Sequence, residues 1–391
     1  MAKSASSRLL ALDIMRGITI AGMILVNNAG SWHRAYEPLR HAAWNGLTPT
    51  DLVFPFFMFI MGVSTYMSLR KSGFSFDRAV VSKIVRRTIV IFMIGIALAW
   101  LSNLLYGWLA GGMTFGEAAT AWERQRILGV LQRLALSYGI GALLAVTVRQ
   151  RWLPWLAGAL IVGYAVIITM GNGYEFSERN ILGVVDRAIL GESHVYTDYA
   201  FGEPMRIDPE GLLGVIPSVA HVLIGFMCGA LLCGTSDRQR QLNRLFIVGA
   251  VLTFGGLLLS YGLPLNKKIW SPTFVLTTCG LASTLLALLI WIIDVRGWKR
   301  WTGFFHAFGI NPLYLYVQSQ VLAYILGAVQ VHTALAPEGV TNLRGVLYYA
   351  VLNPMCGGNA QLASLLWALL FVAINWLPGY YLQRRRIYIK I

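Results

Sequence analysis

The sequence predicts an all-α polytopic membrane protein of about ten transmembrane helices in one bundle, and three observations carry that reading. Apolar residues make up 57% of the 391-residue chain and charged ones 13%, whereas a soluble domain needs roughly a quarter charged to clothe its surface. The apolar residues gather in runs of about 20, the length at which a helix crosses a hydrocarbon core. Lys and Arg collect in the connections on one side of those runs, as cytoplasmic loops do.

The runs fall at about 9–29, 50–69, 87–105, 127–148, 152–170, 211–234, 245–262, 272–294, 305–330 and 359–382. The first carries Asp13 and Arg16 and no small-residue cleavage site, so it is expected to be a retained span rather than a signal peptide. The first and ninth are interrupted by polar residues. No stretch is large enough for a separate soluble domain, so residues 1–391 read as a single transmembrane domain with an external loop at about 171–210. The basic segments are 70–87, Arg149 with Arg151, 238–244, 296–300 and 384–390. They alternate along the chain so as to share one side, which puts both termini in the cytoplasm of a bacterial inner membrane. The net charge of +15 is then mostly a topology signal, and the lipid bilayer, not nucleic acid, is the expected partner. Cys228, Cys233, Cys279 and Cys356 show no C-x-x-C spacing, so neither a disulfide nor a metal site is expected.

The 171–210 connection holds eight carboxylates against three arginines. A net acidic outer loop suits an amine-bearing ligand, though a solvated loop reads the same way. It ends on Asp208-Pro209-Glu210-Gly211, where Asp as N-cap and Pro at the first helical position describe an ordinary helix start.

Ionisable residues inside spans are costly unless paired or solvated, which makes them candidates for function. Asp13 and Arg16 share a helix face at i,i+3, either as a mutual pair or around a ligand. Asn27 and Asn28 lie roughly 20 Å further along, at the outer end, where capping alone would explain them. His41 follows in an outer connection, near Trp44, Asn45 and Asp51. A histidine with a carboxylate to orient it and an amide to bind an oxyanion is a workable acyl-transfer set. No G-x-S-x-G elbow and no H-E-x-x-H competes with it. Arg86 and Arg87 open the third span as membrane anchors or, beside a cavity mouth, as phosphate ligands. Gln132 and Arg133 sit in the fourth, where Arg133 needs an anion; Asp51 and a bound ligand are the two candidates.

Several strings, taken in order, resemble the heparan-α-glucosaminide N-acetyltransferase family. They are Arg8-Leu9-Leu10-Ala11-Leu12-Asp13-Ile14-Met15-Arg16-Gly17, His41-Ala42-Ala43-Trp44-Asn45-Gly46-Leu47-Thr48, Asp51-Leu52-Val53-Phe54-Pro55, Gly129-Val130-Leu131-Gln132-Arg133-Leu134, Asp208-Pro209-Glu210-Gly211, Pro264-Leu265-Asn266-Lys267 and Asn311-Pro312. The resemblance implies a transmembrane acyltransferase that takes acetyl-CoA from the cytosol and acetylates an amino sugar, a terminal glucosamine or glycan end, on the other side. It places the family's catalytic histidine on His41 and its active-site asparagine on Asn27; Asp51 is the carboxylate that the residues themselves offer as partner. Asp13, Arg16, Arg86, Arg87, Gln132, Arg133 and Asn311 are then candidates for the donor, Arg87 matching more closely than Arg86. Trp44, Asn45, Asp208, Glu210, Asn266 and Lys267 are candidates for the acceptor. His41 would act as general base or as acetyl carrier, and in either role it must be unprotonated, so activity should fall in acid. A homodimer is an open option. An amino-sugar transporter is the rival reading, since ten spans with polar residues at mid-depth also suit transport; the lack of a visible repeat argues against it.

Overall fold

The computed structural model describes residues 9–334, 336 and 339–389; Arg8 and Lys390, named above, lie outside them, as do both termini. In chain order the helices are α1 Leu10–Val26, α2 Val53–Arg70, α3 Arg78–Leu109, α4 Phe115–Thr120, α5 Val130–Thr147, α6 Leu153–Met170, α7 Ile181–Leu190, α8 Val215–Cys233, α9 Arg238–Leu259, α10 Pro272–Ile290, α11 Thr302–Ile310, α12 Pro312–Ala328, α13 Leu343–Leu347, α14 Asn353–Met355 and α15 Ala360–Arg384. One antiparallel ribbon, β1 Gln330–His332 against β2 Val340–Asn342, pairs Val331 with Thr341.

Among the described residues, eight helices are long and apolar enough to cross a membrane. The chain is an all-α polytopic membrane protein, and the expected count of ten spans is corrected to eight. The first expected span is α1, of 17 residues. The ninth breaks at Asn311, because the ring of Pro312 disfavours helical backbone at the residue before it. Asn311 accordingly sits at φ −125°, ψ 59°. That leaves α12 with 17 residues and α11 with 9, the latter only about 14 Å long, under half a hydrocarbon core. α11 lies against α1 with backbones touching. A Cβ on Gly17 would overlap the carbonyl of Phe305, and one on Gly309 the carbonyl of Asp13.

Two spans begin earlier than hydropathy suggests. Asp77 caps α3 by accepting from Val80 N–H at 2.8 Å, and Asp237 caps α9 by accepting from Gln239 N–H at 2.9 Å. Hydropathy registers lipid contact, whereas caps register where a helix starts. The sixth span starts later. Residues 208–211 form a turn closed by Gly211 N–H on the Asp208 carbonyl at 3.0 Å, so Asp208 is no N-cap and α8 begins at Val215.

The close spacing of Gly225 and Gly229 lets α8 run alongside α2, with Gly225 on Phe59 and Gly229 on Val63 and Tyr66. Their C-terminal ends stay together, Arg70 donating to the Cys233 carbonyl at 2.9 Å. This is the basic end of the bundle. At the opposite end, here the histidine end, a small second core of Trp44, Tyr164, Ile168, Leu182, Ile207 and Ile269 lies beneath residues 171–210.

Candidate functional site

At the histidine end the site is assembled from three connections. The first is the segment before α2. Residues 49–52 make a 3₁₀ turn whose capping box joins Thr48 and Asp51. Asp51 Oδ2 accepts from Thr48 N–H at 3.1 Å, Thr48 Oγ1 at 3.0 Å and Ala42 N–H at 3.2 Å. These bonds hold the carboxylate rigid, and its other oxygen, Oδ1, faces His41 Nδ1 at 2.6 Å. With Nδ1–H donated to Asp51, the Nε2 lone pair of His41 is left for chemistry. The His41 side chain is 37% exposed and that of Asp51 1%, so the acid is sealed and the imidazole open.

The second connection joins α9 to α10. Lys267 Nζ stands 3.0 Å from His41 Nδ1 and 3.3 Å from Nε2, and 3.6 Å from Asp51 Oδ1. Its backbone is fixed from both sides. Gly46, at φ 126° where a side chain would be strained, donates its N–H to the Leu265 carbonyl at 2.7 Å. Asn266 is fully buried and ties Asn45 Oδ1 at 3.1 Å while accepting from Ile269 N–H at 3.2 Å. Asn45 and Asn266 therefore brace one loop against the other. Trp44 is a core residue, 5% exposed, its indole N–H on the Tyr174 carbonyl at 2.7 Å.

The third connection is 171–210. Arg126 grips Asp208 through Nε at 2.9 Å and Glu210 through Nη2 at 2.6 Å, and its guanidinium lies over the Tyr196 ring at 4.8 Å. The Glu210 side chain is 12% exposed, and its negative potential reaches both His41 and Lys267. Sequence reasoning missed Arg126.

Desolvation is the largest influence on His41 and pushes its pKa below 6.5; the Lys267 cation adds to that, while Asp51 and Glu210 oppose it. Desolvation also lowers the Lys267 amine, against Asp51 and Glu210. The site therefore favours a neutral imidazole, the form in which Nε2 can take a proton or an acyl group.

At the basic end a cavity of about 600 Å³ opens among α1, α2, α3 and α12. Arg16, Lys83 and Arg87 line it together with Ser64, Asn311 and Ile389. Arg16 is held by Asp13 at 3.0 Å, Ser64 Oγ at 2.9 Å and the Gly309 carbonyl at 3.3 Å; Asp13 serves the arginine rather than the cavity. Arg87 lies over Tyr138 at 4.7 Å, whereas Arg86 is exposed and lines nothing there. The Asn311 side chain donates to the Ile387 carbonyl at 2.9 Å and accepts from Ile389 N–H at 2.8 Å, which pins the segment after α15 against the cavity wall.

A second, apolar gap of about 20 Å³ shares Phe57, Leu134, Pro312 and Leu313 with this cavity and continues to Met23 and Phe54. Met23 is one turn before Asn27 and Phe54 one turn after Asp51. The basic cavity thus tapers toward the histidine end.

The remaining expected residues lie elsewhere. Asn27 ends α1 with an exposed side chain and, among the described residues, makes no hydrogen bond to His41. Asn28 is buried and spends its amide on the Ile24 carbonyl at 2.8 Å. Gln132 packs on Gly95. Arg133 is fully buried, donates to the Gly211 carbonyl at 2.8 Å and faces the Trp270 ring at 5.5 Å. Neither Gln132 nor Arg133 lines the cavity, and the partner of Arg133 is a carbonyl and an aromatic face, not Asp51.

Comparison with known proteins gives the family. Residues 8–262 match the family described as heparan-alpha-glucosaminide N-acetyltransferase, catalytic. The mouse protein named heparan-alpha-glucosaminide N-acetyltransferase is 28% identical over 374 residues, covering 82% of this chain and 54% of its own length. The human protein of the same name is 28% identical over 369 residues, covering 80% and 53%. The chain spans about half the length of these curated relatives. With its family match running from α1 to the end of α9, the chain belongs to the heparan-alpha-glucosaminide N-acetyltransferase catalytic family.

Proposed function

We propose that the protein is a membrane acetyltransferase that moves acetyl from acetyl-CoA to an amino sugar, with donor and acceptor entering from opposite ends. The observation that carries this reading is the His41–Asp51 pair at 2.6 Å standing across the bundle from a cation-lined cavity that narrows toward it. Three cations at the mouth suit the phosphates of CoA. The apolar gap of about 20 Å³ holds no more than a water, so the pantetheine arm would have to widen it to bring the thioester to His41 while the nucleotide stays with Arg16, Lys83 and Arg87. Asn311 shapes that mouth and Arg86 stands outside it.

His41 Nε2 is the acting atom in both forms of the reaction. As base it takes the proton of the attacking amine, and the CoA thiolate leaves. As carrier it accepts the acetyl group first and passes it to the amine. Asn27 is the nearest exposed amide along α1 and serves the carbonyl oxygen. Asp208 and Glu210, anchored by Arg126, give the acceptor side its negative potential, which favours an amine-bearing sugar over an acidic one. In a bacterial inner membrane the basic end faces the cytoplasm with both termini and the histidine end faces the periplasm.

The test is acetylation of glucosamine by purified protein in liposomes without any ion gradient. Activity there, lost in His41→Ala, supports the reading; gradient-dependent uptake of unmodified sugar would replace it with transport. Sidedness is read separately by impermeant thiol labelling of cysteines introduced at 41 and 385. Labelling from the same side would overturn the two-ended arrangement.

A further inference from the structure

Lys267 presents a primary amine to His41 in the position an acceptor amine would take. Its Nζ lies 3.0 Å from His41 Nδ1 and 3.3 Å from Nε2, the latter just outside the reach of about 3.2 Å from which a base draws a proton, a gap that catalytic contacts close once substrate is bound. The approach is built: Gly46 and Asn266 pin the loop on either side, and the Lys267 side chain is only 17% exposed. Lys268 is the internal contrast. It follows directly in sequence, is equally covered at 17%, and spends its amine on Asp198 Oδ1 at 2.8 Å, away from His41.

We propose that Lys267 is itself an acetyl acceptor, so that the protein acetylates its own active site when donor is bound and no amino sugar is present. This rests on the acetyltransferase reading above. The Nζ lone pair attacks the acetyl carbonyl, forming an amide; the bond that breaks is carbonyl–sulfur in the donor, or carbonyl–Nε2 if His41 carries the group. The leaving group is CoA thiolate or imidazole, and the proton lost from Nζ passes to His41 Nε2 or to the departing imidazole. Desolvation of Lys267, which lowers its pKa, favours the neutral amine this requires. The amide has no charge, so Asp51 loses a cationic neighbour and the site loses the amine that lies against His41. A bound acceptor displaces Lys267 from the acetyl group and protects it.

The experiment incubates purified wild-type protein with isotopically labelled acetyl-CoA, with and without glucosamine, then strips acyl-imidazole with hydroxylamine and maps peptides by mass spectrometry. The expected result is one hydroxylamine-resistant labelled acetyl group on Lys267 and none on Lys268. It disappears with saturating glucosamine and in His41→Ala. Activity assayed afterwards falls in step with the mark, and Lys267→Arg, whatever its starting rate, shows no such time-dependent fall. Protein that acetylates glucosamine yet stays unmarked at Lys267, or is marked equally on Lys267 and Lys268, overturns the inference and leaves the function standing. Absence of both glucosamine acetylation and the mark overturns both.

Discussion

The two ends of the bundle solve different problems. At the histidine end the groups around the imidazole are tied to partners within the protein: Asp51 is bonded four ways, Asn266 braces Asn45, and Arg126 holds two carboxylates. At the basic end the cavity is mostly apolar, and in its wall Arg16 is held by Asp13, Ser64 and Gly309 while Arg87 lies over Tyr138. Preorganised groups stabilise a transition state because nothing has to be reoriented when charge develops. A cavity that supplies charge but few fixed partners suits a ligand that brings its own hydrogen-bonding groups. On the proposed function, chemistry and donor binding would reside in separable parts of the molecule, and substitutions can test that separation.

The sharpest break is His41→Ala. Losing a general base costs about 10²–10⁴ in rate, and losing a covalent carrier costs more, while CoA affinity should stay near wild type. Calorimetry beside a glucosamine acetylation assay reads both; a parallel loss of CoA affinity would show that the two ends are one site. Asp51→Asn comes next, with a rate loss of about 10²–10³, the scale of one preorganised polar group. It also weakens the start of α2 by about 1 kcal/mol, since the capping box loses its carboxylate. Thermal unfolding should register that change, and His41→Ala should not reproduce it.

Arg87→Ala should weaken CoA binding at least about tenfold, the loss of a charge-assisted phosphate contact worth about 1.5–3 kcal/mol, and leave kcat for bound donor largely intact. Arg86→Ala, outside the cavity, should barely change affinity. Equal losses in the two variants would return both residues to the role of membrane anchors. The acid limb of the pH–rate profile moves less but in a diagnostic direction. The folded protein holds His41 below 6.5, so activity should persist below that pH before imidazolium forms. Lys267 opposes protonation, so Lys267→Ala should raise the pKa of His41 and shift the limb upward. Asp51 favours protonation, so Asp51→Asn should shift it downward in whatever activity remains. The smallest effect is expected from Asn311→Ala, which frees residues 387–389 from the cavity wall and should change CoA affinity only a few-fold, about 1 kcal/mol for two lost hydrogen bonds to backbone. Unchanged affinity there would remove Ile389 from the donor site.

What the sequence made legible follows from range. His41 and Asp51 are ten residues apart in one connection, and a short connection between spans brings such residues together. Their pairing is local enough to be anticipated, as are the long apolar runs. Lys267 lies 226 residues from His41, and pattern alone could place it on the same side of the membrane but not beside the ring. Arg126 escaped notice because its partners, Asp208 and Glu210, read as a helix start, and Asp-Pro is an ordinary opening for one. Arg133 looked like a ligand for the donor because buried cations demand anions in lipid. The fold instead offers it a carbonyl and an indole face, which has no sequence signature, and leaves Nε and Nη1 without a hydrogen-bond partner among the described residues. The break at Asn311 had one, in Pro312, but hydropathy averages over a proline and sees a continuous run.

Asp51 has consequences for how this region can vary. Its single carboxylate both sets where α2 begins and decides which nitrogen of His41 carries the proton. Asparagine keeps the size but puts an amide where one of the acceptor oxygens stood. Glutamate keeps the charge but adds a methylene, and the head group can no longer satisfy Thr48 and His41 from one backbone position. Alanine abandons both. Each of these replacements therefore costs at least one of the two duties, because the bonds that set the helix start fall on Oδ2 and the histidine contact on Oδ1. Adaptation to a different sugar must then come from the walls around the pair, in residues 171–210 and the α9–α10 connection, with the pair itself left as a fixed point of the design.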